Sequence, residues 1–388
     1  MTVLLSYGVR NLRARMFTTA LTASGMAMVT FVFTAVLMLA EGLERTLADT
    51  GSPDNVVILR RSAETEVSSI ISRYEAAQIE VGPEPDHTVQ GEPMISKESV
   101  VLVTLPKKNS PKPTNVVVRG VGPWSVRLRP QVRLKSGRMF RPGSHEIIAG
   151  SSAARRITGL ELNGELRFAL REWRVVGIFD AADTAFDSEI WGDADQLMDA
   201  FRRNSYSAMI VRVSGPGSFD RLKKRIENDP RMTVQAKREI AFYREQSEVM
   251  TKFIRILGIV TTGFFSFGAI LGAMVTMYTA VANRTKEIGT LRALGFSRAG
   301  VLSSFLAESV FLGVLGGGVG VAASSLLQLV TISTLNWETF SELAFGFTLT
   351  GGIAAYAIGF SAFMGFIGGL VPAWTAARLK IVDALRAS

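Results

Sequence analysis

Four long windows almost without charge fix what this chain can become. Residues 16–40, 256–282 and 343–371 hold no charged side chain, and residues 299–337 hold only Glu308. Each exceeds the roughly 20 apolar residues needed to cross a hydrocarbon core of about 30 Å. The expected fold is therefore a membrane protein with four transmembrane α-helices. A large mixed α/β extracytoplasmic domain is inserted between spans one and two. Thr18, Thr19, Thr22, Ser24, Thr30 and Thr34 dilute the first window. A cleaved leader is the alternative there, but the apolar run is long for one and no small-x-small site follows.

Charge placement sets the orientation. The formal net charge is +9, which in a soluble chain would suggest nucleic-acid binding. Nearly all of it sits beside the apolar windows instead. Arg10, Arg13 and Arg15 precede the first window. Arg284, Lys286, Arg292 and Arg298 separate the second from the third, and Arg378, Lys380 and Arg386 follow the fourth. The segment between spans three and four carries Glu338 and Glu342. Basic residues stay on the cytoplasmic side, so both termini and the 283–298 loop are expected inside, with no nucleic-acid partner. The expected layout is an amphipathic cytoplasmic segment 1–15, span one 16–40, an external domain 41–250, and a stalk end with span two at 251–282. A cytoplasmic helix 283–298, span three 299–332, an outside loop 333–344, span four 345–371 and a cytoplasmic tail 372–388 follow.

Within 41–250, strands are expected at 55–60, 100–105, 115–121, 165–170, 173–179 and 208–213, all rich in β-branched or aromatic residues. Apolar stripes at helical spacing (Val67, Ile70, Ile71, Tyr74; Phe219, Leu222, Ile226) predict two helices. Asp193 followed by Gln196 predicts the cap of a third, burying Leu197 and Phe201. The stretch 106–114, with Pro106, Pro111 and Pro113, reads as a loop or a seam between two subdomains. From about 238 a helical pattern (Ile240, Tyr243, Ser247, Met250, Ile254, Leu257) runs into span two without Gly or Pro between 231 and 257, and predicts a rigid stalk; a flexible joint is the alternative.

Catalytic chemistry is hard to place. There is no cysteine, which removes disulfides and thiol catalysis, and the two histidines, His87 and His145, lack metal-ligand spacing. His145-Glu146 reads as a solvated surface pair. A phosphate-binding loop ends in Gly-Lys-Ser/Thr, and the sequence contains no Gly-Lys dipeptide. No cofactor, metal or catalytic residue is therefore expected in this chain. Any nucleotide binds elsewhere.

Gly268/Gly272, Gly316/Gly320 and Gly365/Gly369 place small residues four apart in three spans, which predicts close helix packing rather than a wide pore. Glu308 is the one ionisable residue inside a span, where burying a lone carboxylate costs on the order of 2.5–3.5 kcal/mol. A structural ion pair near the cytoplasmic end is the preferred reading, a proton relay the alternative. In Asn283–Gly295, Ile288, Leu291 and Leu294 cluster on one helix side with Arg284, Lys286 and Arg292 around them. Gly295 suits a left-handed cap and Ser297 can start the next helix. Such a helix is a knob for a partner protein, or an interfacial helix on lipid.

The run NRTKEIGTLRALGFSRAGVLSSFLAESVFLGVLGGGVG closely resembles the MacB/FtsX-type ABC permeases. VRNLRARMFTTALTASGMAM resembles their lead-in to span one. SGRMFRPGSHEIIAG and WRVVGIF resemble their periplasmic domain, and LVPAWTAARLKIVDALRA their C-terminal signature, with Ile381 where a proline is usual. The resemblance implies a coupling helix in which Glu287, Ile288, Gly289, Leu291, Arg292, Ala293, Leu294 and Gly295 meet an ATPase, and it places Glu308 at a glutamate common in the family. It also implies a separate ABC ATPase subunit that binds ATP and Mg, since no nucleotide-binding domain is fused here. A second permease copy is implied, identical or related, with a periplasmic adaptor and an outer-membrane channel as further candidates. The implied activity is mechanotransmission: ATP-driven closure of the ATPase moves the external domain, in efflux of a periplasmic substrate. An FtsX-like regulator of an external enzyme and a lipoprotein-releasing permease are the alternatives. The inner membrane is the implied location.

Overall fold

The computed structural model describes residues 16–108 and 110–380. Arg10, Arg13 and Arg15 in segment 1–15, and Ile381, Asp383 and Arg386 in the tail, lie outside the described residues. The chain forms two units. One collects the chain through Glu41, Lys252–Val330 and the chain from Phe347 onward. The other comprises Gly42–Thr251 together with Thr331–Gly346.

Among the described residues, four helices are long and apolar enough to cross a membrane. They are α1 (Met16–Ala48), α7 (Glu239–Asn283), α9 (Arg298–Ser325) and α10 (Gly351–Arg378). Helix α7 is one uninterrupted helix of 45 residues, as expected where no Gly or Pro precedes the span. Helix α1 runs eight residues past the expected end of span one, continuing through Gly42 to Ala48. Helix α10 begins only at Gly351, where Thr350 accepts a hydrogen bond from the Ile353 amide at 3.2 Å and caps it.

Small residues set the span packing. Gly365 of α10 lies against α9, where an added Cβ would come within 2.5 Å of the Ser309 carbonyl oxygen. Ser309 donates its hydroxyl to the Gly365 carbonyl, and Ser361 donates to the Gly313 carbonyl at 2.7 Å. Serine and glycine thus alternate across one seam and satisfy each other's polar groups inside the bundle. Gly369 meets Ser309 as well. Gly316 and Gly320 face α1, where a Cβ would approach the Ala23 and Ala27 carbonyls at 2.7 and 2.6 Å.

The external unit is built on a ten-stranded sheet. Its strands are β1 (Asn55–Arg60), β2 (Ile95–Leu105), β3 (Thr114–Val121), β4 (Arg133–Gly137), β5 (Glu146–Gly150), β6 (Glu165–Phe168), β7 (Arg171–Asp180), β8 (Ile190–Asp193), β9 (Ala208–Arg212) and β10 (Val234–Arg238). They run in the order β10-β1-β9-β2-β3-β8-β5-β7-β4, with β6 paired to β7. The strands foreseen from β-branched runs are present. The 106–113 loop joins β2 to β3, which pair antiparallel. Three apolar clusters fill the unit. One surrounds Trp173 and Ile147, one Phe179, Phe186 and Trp191, and one Ile58, Ile71 and Leu222.

The helix expected over Val67, Ile70, Ile71 and Tyr74 does not form there. Ile71 instead bridges to Tyr206, and α2 (Arg73–Glu80) starts where Ser72 and Glu75 complete a capping box. Helices α3 (Ser125–Leu128) and α4 (Ser151–Arg156) are short. Helix α5 (Ala194–Ala200) takes its cap from Asp193, which accepts from the Gln196 amide at 2.9 Å. Helix α6 (Ser218–Asn228) buries Leu222 and Ile226 as its stripe predicts. The expected outside loop 333–344 is an antiparallel hairpin, β11 (Thr331–Leu335) with β12 (Glu342–Gly346).

Candidate coupling helix and external ionic core

Helix α8 (Thr285–Ala293) follows α7 directly. Gly295 adopts φ +95°, the left-handed conformation that ends the helix without a Cβ clash. Ser297 then accepts from the Gly300 amide at 3.1 Å and starts α9. The inner face of α8 is fixed by Ile288, which joins Met277, Val281, Val301, Phe305, Ala373 and Ala376 in one apolar cluster. Gly289 is buried beside it.

Two arginines complete the anchorage. Arg284, at the cap of α8, donates to Glu308 of α9 at 2.8 and 3.3 Å, and both side chains are buried. Its guanidinium lies 5.8 Å from the Phe305 ring centroid. Arg292 donates to the Ala377 carbonyl of α10 at 2.9 Å. The ion pair expected for Glu308 is thus made with Arg284.

The expected docking set divides by face. Ile288 and Gly289 point inward, and Leu291 and Arg292 are half-buried. Glu287, Ala293, Leu294 and Gly295 are exposed, and Leu294, 73% exposed, is followed by exposed Phe296. Among the described residues Gly268 and Gly272 make no close helix contact, since a Cβ on either would meet nothing within 4 Å. They line an apolar groove of ≈ 320 Å³ with Gly25, Met28 and Val32 of α1.

In the external unit the residues that sequence reasoning missed are the most constrained. Arg119 of β3 is fully buried. It donates to Glu66 at 2.6 and 2.9 Å, to Glu189 at 2.7 and 2.8 Å, and to Glu98 at 2.9 Å. Arg129, just beyond α3, donates to Glu98 at 2.5 and 3.1 Å and lies 3.4 Å from Glu239. Glu239 opens helix α7. Its other oxygen accepts from the Ser52 amide at 2.9 Å and Asn55 at 2.8 Å. Both guanidiniums stack over Phe186, at 5.3 and 4.6 Å from its centroid. Gly51 closes the site, because a Cβ there would fall 2.5 Å from the Ile240 amide nitrogen.

Four carboxylates thus share two guanidiniums away from water. Burial pushes Glu189 and Glu239 up, against the opposing pull of Arg119 and Arg129 respectively. Glu98 is also burdened by burial, but Arg129 and Arg119 together hold it below the ordinary carboxylate range. The cluster ties the first turn of α7 to β2, β3 and the residue before β8. The one sequence signal was Arg119 amid Val116, Val117, Val118 and Val121, a charge inside an otherwise buried strand.

His145 lies edge-on to Trp173 at 5.4 Å, and Glu146 pairs with Arg138 at 2.5 Å.

These features define a class: a four-span ABC transporter permease with an external α/β domain between its first and second spans. The chain belongs to the MacB-like periplasmic core domain family, whose model matches residues 19–229, and residues 259–381 match the FtsX-like permease C-terminal domain. It is 31% identical over 207 residues to the macrolide export ATP-binding/permease protein MacB of Syntrophobacter fumaroxidans, covering 52% of this chain and 27% of that protein. It is 27% identical over 218 residues to the uncharacterized ABC transporter permease YknZ of Bacillus subtilis, covering 52% and 50%. The matches thus span at most about half the length of these relatives. The periplasmic region of MacB from Actinobacillus actinomycetemcomitans aligns at TM-score 0.38 and 12% identity, over 50% of this chain and 92% of that one.

Proposed function

We propose that this chain is a non-catalytic membrane subunit, which passes the stroke of a separate ATPase to its external domain and so drives export of a substrate already outside the cytoplasm. The ATPase partner holds the ATP and Mg, and both termini of this chain face the cytoplasm with it. The reading rests on one observation above the others. Helix α8 presents Leu294 and Phe296 outward, while Ile288, Arg284 and Arg292 fasten it to α7, α9 and α10. A force on the tip reaches three spans at once, and α7 continues as one helix to Glu239 in the ionic core. The uncovered Gly268/Gly272 face supports pairing with a second permease copy, identical or related, in the inner membrane. The MacB relative of Syntrophobacter fumaroxidans is a macrolide export protein, which supports efflux, with an adaptor and outer-membrane channel as further partners.

The FtsX-like match favours a second reading, in which the same motion regulates an external enzyme. Reconstitution of the chain with its ATPase in lipid separates the two. Export predicts that candidate substrates raise ATP hydrolysis. Regulation predicts no substrate response and a hydrolase bound to the external domain.

A further inference from the structure

Every guanidinium hydrogen bond of Arg119 and Arg129 goes to three of the four carboxylates in the external ionic core. Arg119 bonds both oxygens of Glu66 and both of Glu189, and Arg129 bonds both oxygens of Glu98. Among the described residues Glu239 receives none. Its Oε2 accepts only from neutral groups, the Ser52 amide at 2.9 Å and the Asn55 side chain at 2.8 Å. Its Oε1 is buried and has no hydrogen-bond partner, and Arg129 Nε, 3.4 Å away, has none either.

Charge decides what that oxygen carries. Four ionised carboxylates against two guanidiniums leave two negative charges over, in a cluster where Arg129, Glu98 and Glu239 are fully buried. The neighbouring cations are turned elsewhere. Arg212 of β9 donates to the Leu128 carbonyl and Arg238 of β10 to the Pro53 carbonyl, each at 3.3 Å. Glu98 of β2 repels a charge on Glu239. The Tyr243 hydroxyl, one turn further along α7, is raised by burial and stays neutral. An unneutralised carboxylate held away from water is costly enough that the group takes up a proton instead. Glu66, Glu98 and Glu189 spend both oxygens on guanidinium hydrogen bonds, so the oxygen open to that proton is Oε1 of Glu239.

We propose that Glu239 is a proton-binding site: the core closes around the first turn of α7 with a proton on Glu239 Oε1, and loss of that proton loosens the turn. Burial pushes the Glu239 carboxyl above its ordinary range, against the pull of Arg129, Ser52 and Asn55, and the charge of Glu98 adds to the rise. The sign follows from linkage. A carboxyl raised in the closed core favours closure fully below its ordinary value of 4.5, and that preference is lost as pH rises through the raised value. Each further pH unit shifts the balance about tenfold toward the open turn. An acidic exterior thus holds the root of α7 in the external domain, and an alkaline one frees it.

Two measurements on the full chain in lipid nanodiscs test the site. At about pH 6, above the ordinary carboxylate range, the infrared difference between the parent and Glu239→Gln should show the carbonyl band of an un-ionised carboxylic acid, present in the parent and lost in the variant. Glu189 is the rival holder, since burial raises it too. Glu189→Gln should keep the band, because Arg119 already bonds both oxygens of that side chain. Hydrogen exchange of the first turn of α7 reads the consequence. The parent-to-Glu239→Gln ratio of exchange rates, in which the intrinsic pH dependence cancels, should be flat in acid and then climb toward about tenfold per pH unit. A difference spectrum with carboxylate bands alone would overturn the site. So would an acid band lost in Glu189→Gln instead, or an exchange ratio that does not change with pH.

Discussion

Arg284 and Glu308 sit 24 residues apart in sequence, on opposite sides of the turn at Gly295, and meet in a buried two-pronged ion pair at 2.8 and 3.3 Å. The pair ties the cap of α8 to α9. Removing one partner strands the other charge, and buried pairs broken in this way typically cost roughly 3–5 kcal/mol. Glu308→Ala and Arg284→Ala should each cut ATP-driven activity by at least tenfold and lower the thermal midpoint of the purified complex. The double replacement Arg284→Met/Glu308→Leu should recover the midpoint better than either single change, because no charge is left unpaired. A double variant less stable than both singles would mean the pair is not the relevant contact.

Arg119 makes a second forecast. Its guanidinium meets Glu66, Glu98 and Glu189 without water access. Arg119→Leu should destabilise the external unit by roughly 3–5 kcal/mol, and more at neutral pH than in acid, because burial already pushes the Glu189 carboxyl up and its protonation relieves the charge that loses Arg119. Thermal unfolding of the full chain followed by tryptophan fluorescence reads this, since Trp191 donates to Glu189 at 2.7 Å within the cluster. A midpoint unchanged by the substitution would remove the ionic core from the mechanical account.

The span glycines separate into two kinds. Gly365→Val should disrupt the seam between α9 and α10, because even a Cβ falls 2.5 Å from the Ser309 carbonyl. Gly268→Val should leave the folded single chain intact, since a Cβ there would meet no neighbouring helix within 4 Å among the described residues. Heat-induced aggregation in detergent distinguishes them: an early loss is expected for Gly365→Val and none for Gly268→Val. Equal losses would contradict the packing described.

What was legible in the sequence was local. Charge-free windows gave the spans, and Gly295 with Ser297 gave the break between α8 and α9, because a left-handed cap and a serine cap are short-range chemistry. The ionic core was illegible because Arg119 finds partners 53 and 70 residues away. The expected helix at 67–74 lost to a capping box at Ser72 and a bridge from Ile71 to Tyr206, neither visible in an apolar stripe. The hairpin was hidden because Thr331–Leu335 and Glu342–Gly346 continue the apolar windows on either side. An ion pair for Glu308 was foreseen but its partner was not, because Arg284 lies 24 residues away and only the turn at Gly295 folds it back beside α9.

The measurement nearest the central claim is ATP hydrolysis recovered with the full chain purified from its native membrane in mild detergent. It compares the parent with Glu287→Lys/Leu294→Asp, which alters the exposed face of α8 and leaves Ile288, Arg284 and Arg292 in place. The parent should bring down vanadate-sensitive ATP hydrolysis. The double variant should insert equally well and carry at least tenfold less. Equal hydrolysis with both chains, or none with the parent, would contradict the assignment of α8 as the point where the stroke is received.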